Sequence, residues 1–89
     1  MSDNKQPAHS TILEQLEHSA RQVYSYGPRI VPAEVQRIIV LCELLVKVDI
    51  PTESREMFCR RLRACADNAL ADERARCKLL ETARLVVQK

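Results

Sequence analysis

Apolar residues recur along this chain at intervals of three and four, in four runs separated by residues that stop helices. In the first run Ile12, Leu13, Leu16, Ala20, Val23 and Tyr24 share one helical face, the spacing that a 3.6-residue turn imposes on a buried stripe. Thr11 and Glu14 stand three apart at its start, where a capping box satisfies free amides of the first turn. Gly27-Pro28 ends the run, because glycine accepts the left-handed conformation after a helix and proline cannot continue one. The first helix is expected over about 11–26, behind a flexible polar tail at 1–9, with 10–89 forming a single helical domain.

Pro32 suits the first position of a second helix, where its missing N–H costs nothing, and Glu34 suits the positive end of the helix dipole. Ile50-Pro51 stops that helix, and Thr52 is placed to cap the next, with Glu53 in its first turn. Met57, Phe58, Leu62, Cys65, Ala66 and Ala69 then share a stripe, as do Leu79, Leu80, Ala83, Val86 and Val87 further on. Asp67-Asn68 is a candidate break between these two runs. The fold expected is all-α, a small bundle of four helices over about 11–26, 32–48, 52–67 and 70–88. Without a glycine at the break, one long helix over 52–88 is the alternative.

Composition agrees. A chain of 89 residues makes one domain and buries roughly two-thirds of its extended surface on folding. It has one glycine and four prolines, too little punctuation for hairpins and tight strand turns.

The second helix carries more apolar surface than one buried face needs. At 100° per residue, Val35, Ile38, Ile39, Leu41, Cys42, Leu44, Leu45, Val46 and Val48 cover well over half of its circumference. Gln36, Glu43 and Lys47 make the polar stripe, with Arg37 isolated in the apolar arc. Packing on one side needs an arc of about 100°, and this arc is about twice that. Either the other three helices wrap it as the centre of the bundle, or one side meets a second copy or another protein. For that second case Leu41, Leu44 and Val48 are the candidate anchors.

Catalytic chemistry finds little purchase. His9 falls in the tail, and His18 lies among Glu14, Glu17 and Arg21 as a solvated helix-surface histidine would. No serine has a glycine-flanked elbow, and one glycine cannot build a phosphate-cradling loop. Cys42, Cys59, Cys65 and Cys77 lie inside apolar helical patterns and contain no C-x-x-C, so they read as reduced thiols rather than disulfides or zinc ligands. Cys59, flanking the core stripe, is the one expected to be exposed to oxidants. The start lacks an apolar signal region, and the apolar stretch from Ile38 to Val46 is far short of a membrane span. A cytoplasmic protein with no enzymatic activity, cofactor, metal or membrane association is expected.

Nucleic acid is the competing partner. The formal charge is only +2, but residues 51–89 carry nine basic and six acidic side chains against five and six in 1–50. Arg55, Arg60, Arg61 and Arg63 cluster on the third helix, where arginines reach phosphates and base edges. The run from Leu44 to Leu62 resembles a helix-turn-helix. It departs from that motif in a long preceding helix, a turn without glycine, and Arg55 where an inward apolar residue belongs. Glu56 with Arg60, Arg63 with Asp67 and Asp72 with Arg76 also stand four apart, as ion pairs on a solvated helix do. With Tyr24, Tyr26 and Phe58 the only aromatics, no stacking platform for single strands exists. The chain therefore reads as a small protein-binding regulator or adaptor, such as an inhibitor or anti-activator that covers a partner's surface, and as a homodimer. The alternative is a small DNA-binding transcriptional regulator reading through its arginine-rich third helix.

Overall fold

The computed structural model describes residues 9–26 and 32–88. They form four helices and no strand: α1 (His9–Tyr26), α2 (Pro32–Lys47), α3 (Thr52–Asn68) and α4 (Glu73–Gln88). The Gly27-Pro28 stop and residues 1–8 of the expected tail lie outside the described residues. His9 is not tail: it opens α1 and sets its ring 5.3 Å from that of Phe58, the largest side chain of the core. Thr11 therefore falls within the first turn rather than at the cap.

Each helix contributes one stripe to a single core, and the sequence periodicity selects most of it. Leu13, Leu16, Ala20 and Val23 of α1 meet Val35, Ile38, Cys42 and Leu45 of α2. Phe58, Leu62, Cys65 and Ala66 of α3 and Ala75, Leu79, Ala83 and Val86 of α4 complete it. Ile50, in the α2–α3 link, is buried with them. Each fully buried Leu, Ile or Phe contributes roughly 1.5–3 kcal/mol of transfer free energy. In space α1 packs on α2 and α3, and α4 packs on the same two. Helix α2 is thus a corner of the bundle rather than its wrapped centre, with α3 diagonally across.

The long-helix alternative for the last two segments does not hold, because a turn without glycine separates them. The Ala69 amide closes α3 onto the carbonyls of Cys65 and Ala66, at 2.9 and 3.1 Å. The Asp72 amide then donates to the Ala69 carbonyl at 3.0 Å, closing a four-residue turn. Asp72 next caps α4: its Oδ1 accepts from the Ala75 amide at 3.0 Å, and its carbonyl accepts the first regular helix bond from the Arg76 amide at 3.1 Å. The break comes directly after Asp67-Asn68, at Ala69, whose complete burial pins the corner to the core. At the start of α3, Pro51 and not Thr52 occupies the cap position, with φ −55° and ψ 140°, and no side chain caps that end. A backbone bond from the Ser54 amide to the Pro51 carbonyl, 2.9 Å, tightens the first turn instead.

One buried group works against the fold. Ser19 is closed off in α1, and its Oγ has no hydrogen-bond partner among the described residues. A buried hydroxyl left unpaired costs about 1–3 kcal/mol, and alanine is the better helix former. Ser19→Ala is therefore expected to raise stability in urea unfolding by about 1 kcal/mol. Asp72→Ala is expected to lower it by about 1 kcal/mol through loss of the cap, with Asp72→Asn retaining most of the stability. Equal or inverted effects in the two alanine variants would contradict this account of the two side chains.

Candidate protein-binding surface

The apolar arc of α2 divides between two neighbours and open surface. Val35, Ile38, Cys42 and Leu45 point inward, and Ile39 packs beside them. Val46 turns toward α4, where with Glu43, Lys47, Lys78, Thr82 and Leu85 it lines a groove of about 420 Å³. Lys78 bridges that groove, its Nζ 3.9 Å from Glu43 and 3.9 Å from Glu81.

On the other edge, the three candidate anchors separate. Leu41 is only 7% exposed and belongs to the core, so it is withdrawn as a surface anchor. Val48 is partly buried against the core. Leu44 is 45% exposed, and Val40, one turn before it, is 45% exposed too. Val40 was not among the expected anchors, although its spacing of four from Leu44 and eight from Val48 places all three on one line of the helix. That strip lies about 100° round α2 from the groove shared with α4. Its charged borders, Arg37 and Lys47, are both exposed and both basic.

The arginines of α3 also separate. Arg61 is committed within the fold: its Nε and Nη2 donate to Glu17 of α1 at 2.8 and 2.9 Å, a bidentate pair spanning 44 residues of sequence. The Glu17 carboxylate as hydrogen-bond acceptor holds the Arg61 guanidinium above its ordinary pKa. Arg55 donates its Nε to the carbonyl of Ile50 at 3.3 Å and so closes the α2–α3 link. Arg60 and Arg63 remain exposed, lining the outer groove between α3 and α4. The four arginines therefore do not form one reading surface. Nor do α2 and α3 pack directly on each other as the paired helices of a helix-turn-helix do.

None of the three expected spacing-of-four ion pairs is present among the described residues. Arg76 pairs with Glu73 at 3.2 Å, Arg74 approaches Asp72 at 3.9 Å, and Arg60 and Arg63 form no ion pair among the described residues. His18 is exposed and pairs with Gln22 at 3.3 Å. No group of three His, Cys, Asp or Glu side chains lies together among the described residues, and no described helix is long and apolar enough to cross a membrane.

The cysteines fall into two classes. Cys42 and Cys65 are buried, and loss of water pushes their thiols up from 9.0 to about 11 and about 12. A side-chain hydrogen bond with Thr82 partly offsets this at Cys42. Cys59 is half-buried, whereas Cys77, near Glu73 at 3.7 Å, is the exposed one, displacing Cys59 from the role expected of it. No family model, curated protein or solved structure matches this chain.

Two outcomes follow for the thiols. Titration of the folded protein with a disulfide reagent at about pH 8 should modify Cys77 first and Cys59 more slowly, with Cys42 and Cys65 protected until urea unfolds the chain. Because the two buried thiols hold their protons longer when folded, stability is full below about pH 9. It should fall as pH rises toward 11 and 12, by on the order of 1 kcal/mol per thiol by about pH 10. Urea unfolding at both pH values, in the chain and in Cys42→Ala/Cys65→Ala, checks this: an equal loss in both proteins would assign it to other groups.

Proposed function

We propose that this protein is a non-enzymatic binding module, a small regulator or adaptor that acts by covering part of another protein, and that it pairs with itself through α2. One observation carries the reading: Val40 and Leu44 stand nearly half exposed on one line of a helix that buries Val35, Ile38, Leu41, Cys42 and Leu45 on its inner side. Two such side chains side by side, with the partly buried Val48 extending the strip inward, make a patch that excludes water well when a matching surface closes on it. A two-fold pair of antiparallel α2 helices gives each strip the other as its cover. The helices are regular and paired with their neighbours on the inner side, so the strip is presented on a rigid element, which lowers the ordering cost of association.

The DNA-binding alternative rests on less surface than the sequence offers it, since Arg55 and Arg61 spend their donors inside the chain. Duplex binding whose salt dependence flattens in Arg60→Ala/Arg63→Ala would favour it nonetheless.

The dimer is tested by sedimentation equilibrium of the chain and of Leu44→Asp, with circular dichroism as the control for folding. The expected result is a dimer that Leu44→Asp converts to a helical monomer, its dimer dissociation constant weakened at least about tenfold. A wild-type monomer at about 100 μM, or a dimer indifferent to the substitution, would overturn the assignment of this strip.

A further inference from the structure

A second surface, across the bundle from the α2 strip, combines apolar floor and unpaired charge. Between α3 and α4 runs an outer groove of about 360 Å³, lined by Glu56, Cys59, Arg60, Arg63 and Val87. It continues along the same helices into a second hollow that shares Glu56 and Val87. Val87 is 47% exposed, and Leu80, two turns earlier on the same side of α4, is 36% exposed. Arg60 and Arg63 line the α3 side, and Arg84 falls between the two apolar residues on α4, within about 60° of both around the helix. All three are exposed and lack an ion pair or hydrogen bond among the described residues. Arginines 55, 61, 74 and 76, by contrast, each have a partner.

From this juxtaposition we infer that the α3–α4 groove is a docking site for an acidic amphipathic helix of another protein. The inference names the partner chemistry for the binding-module reading and rests on it, but it uses a different face from the proposed dimer contact. Leu80 and Val87 lie about 10 Å apart along α4, the spacing of apolar anchors seven residues apart on a ligand helix. Guanidinium groups beside that floor match carboxylates flanking such a stripe. Phosphate backbones fit less well, because they gain nothing from an apolar floor. A second copy is a poor occupant as well, because its exposed strip on α2 is already covered in the proposed dimer.

The probe is a fluorescein-labelled 18-residue peptide with leucines at helical spacing and glutamates elsewhere, beside a twin carrying lysines for the glutamates. Anisotropy titration of the full chain should show saturable binding of the acidic peptide and at least about tenfold weaker binding of the lysine twin. Arg60→Glu/Arg63→Glu and, separately, Leu80→Ser should each weaken the acidic peptide about tenfold or more with helix content unchanged. Leu44→Asp should leave its affinity within about twofold, so that failure of the dimer and failure of this groove are read separately. The proposal falls if neither peptide binds, if both bind equally, or if the groove variants bind the acidic peptide as the parent chain does. It falls equally if Arg60→Glu/Arg63→Glu instead abolishes binding to a 20-base-pair duplex, or turns a dimer into a monomer, with the acidic peptide unbound.

Discussion

Helices α3 and α4 are joined by only the stretch from Ala69 to Asp72, and both bury their stripes along their whole length. Two antiparallel helices tied that closely must pack side by side, and the four alanines they bury, Ala66, Ala69, Ala75 and Ala83, let them come close together. The corner itself works without glycine because Ala69 needs no left-handed backbone: its φ of −101° and ψ of 23° lie in a region open to any residue. Asp72 then supplies the acceptor that the first free amides of α4 lack. With that hairpin fixed, α1 and α2 have one way left to bury their own stripes, by closing over its inner face. Leu79 and Val86 are fully buried in the assembled bundle, and Phe58 has the His9 ring at the start of α1 set 5.3 Å from its own.

The same arrangement decides what remains uncovered. A four-membered ring of helices gives each helix two neighbours, and a stripe of about 100° suffices for that geometry. Helix α2 brings a wider arc, so its excess appears as the Val40–Leu44 strip on one edge and as Val46 above the α4 groove on the other. Helix α4 does likewise with Leu80 and Val87 beside α3 and Leu85 beside α2. Surplus apolar width on regular helices costs little in the isolated chain and becomes favourable when a second surface removes it from water.

Element type was legible in the sequence because helix periodicity and proline placement act locally. Pro32 opens α2 and Ile50-Pro51 falls between α2 and α3, as the chain reads. What was not legible depends on distant parts of the chain. Leu41 and Leu44 are both leucines of one apolar arc, and only the position of the neighbouring helices decides that one is core and the other surface. Arg61 looks in sequence like its neighbours Arg60 and Arg63, yet the packing of α1 on α3 brings Glu17 to it from 44 residues away. The displaced features at helix starts have a different cause. Thr52 and Thr11 carry good capping side chains, but the helices begin earlier than those side chains require, with backbone bonding at Ser54 serving the first turn of α3.

Charge follows the same division between what the fold consumes and what it leaves. The ionic contacts that span helices, Arg61 with Glu17 and Lys78 with Glu43, tie α3 to α1 and α4 to α2. Partly exposed pairs of this kind contribute at most about 1 kcal/mol each, more to register than to stability. Arg60, Arg63 and Arg84 contribute to neither, since the α3–α4 seam is already fixed by its short turn and its buried stripe. Lysine or glutamine at these positions would solvate the groove equally well. The fold places no demand on planar, bidentate donors there, and it leaves their guanidinium groups free to meet carboxylates from outside, as the proposed groove requires.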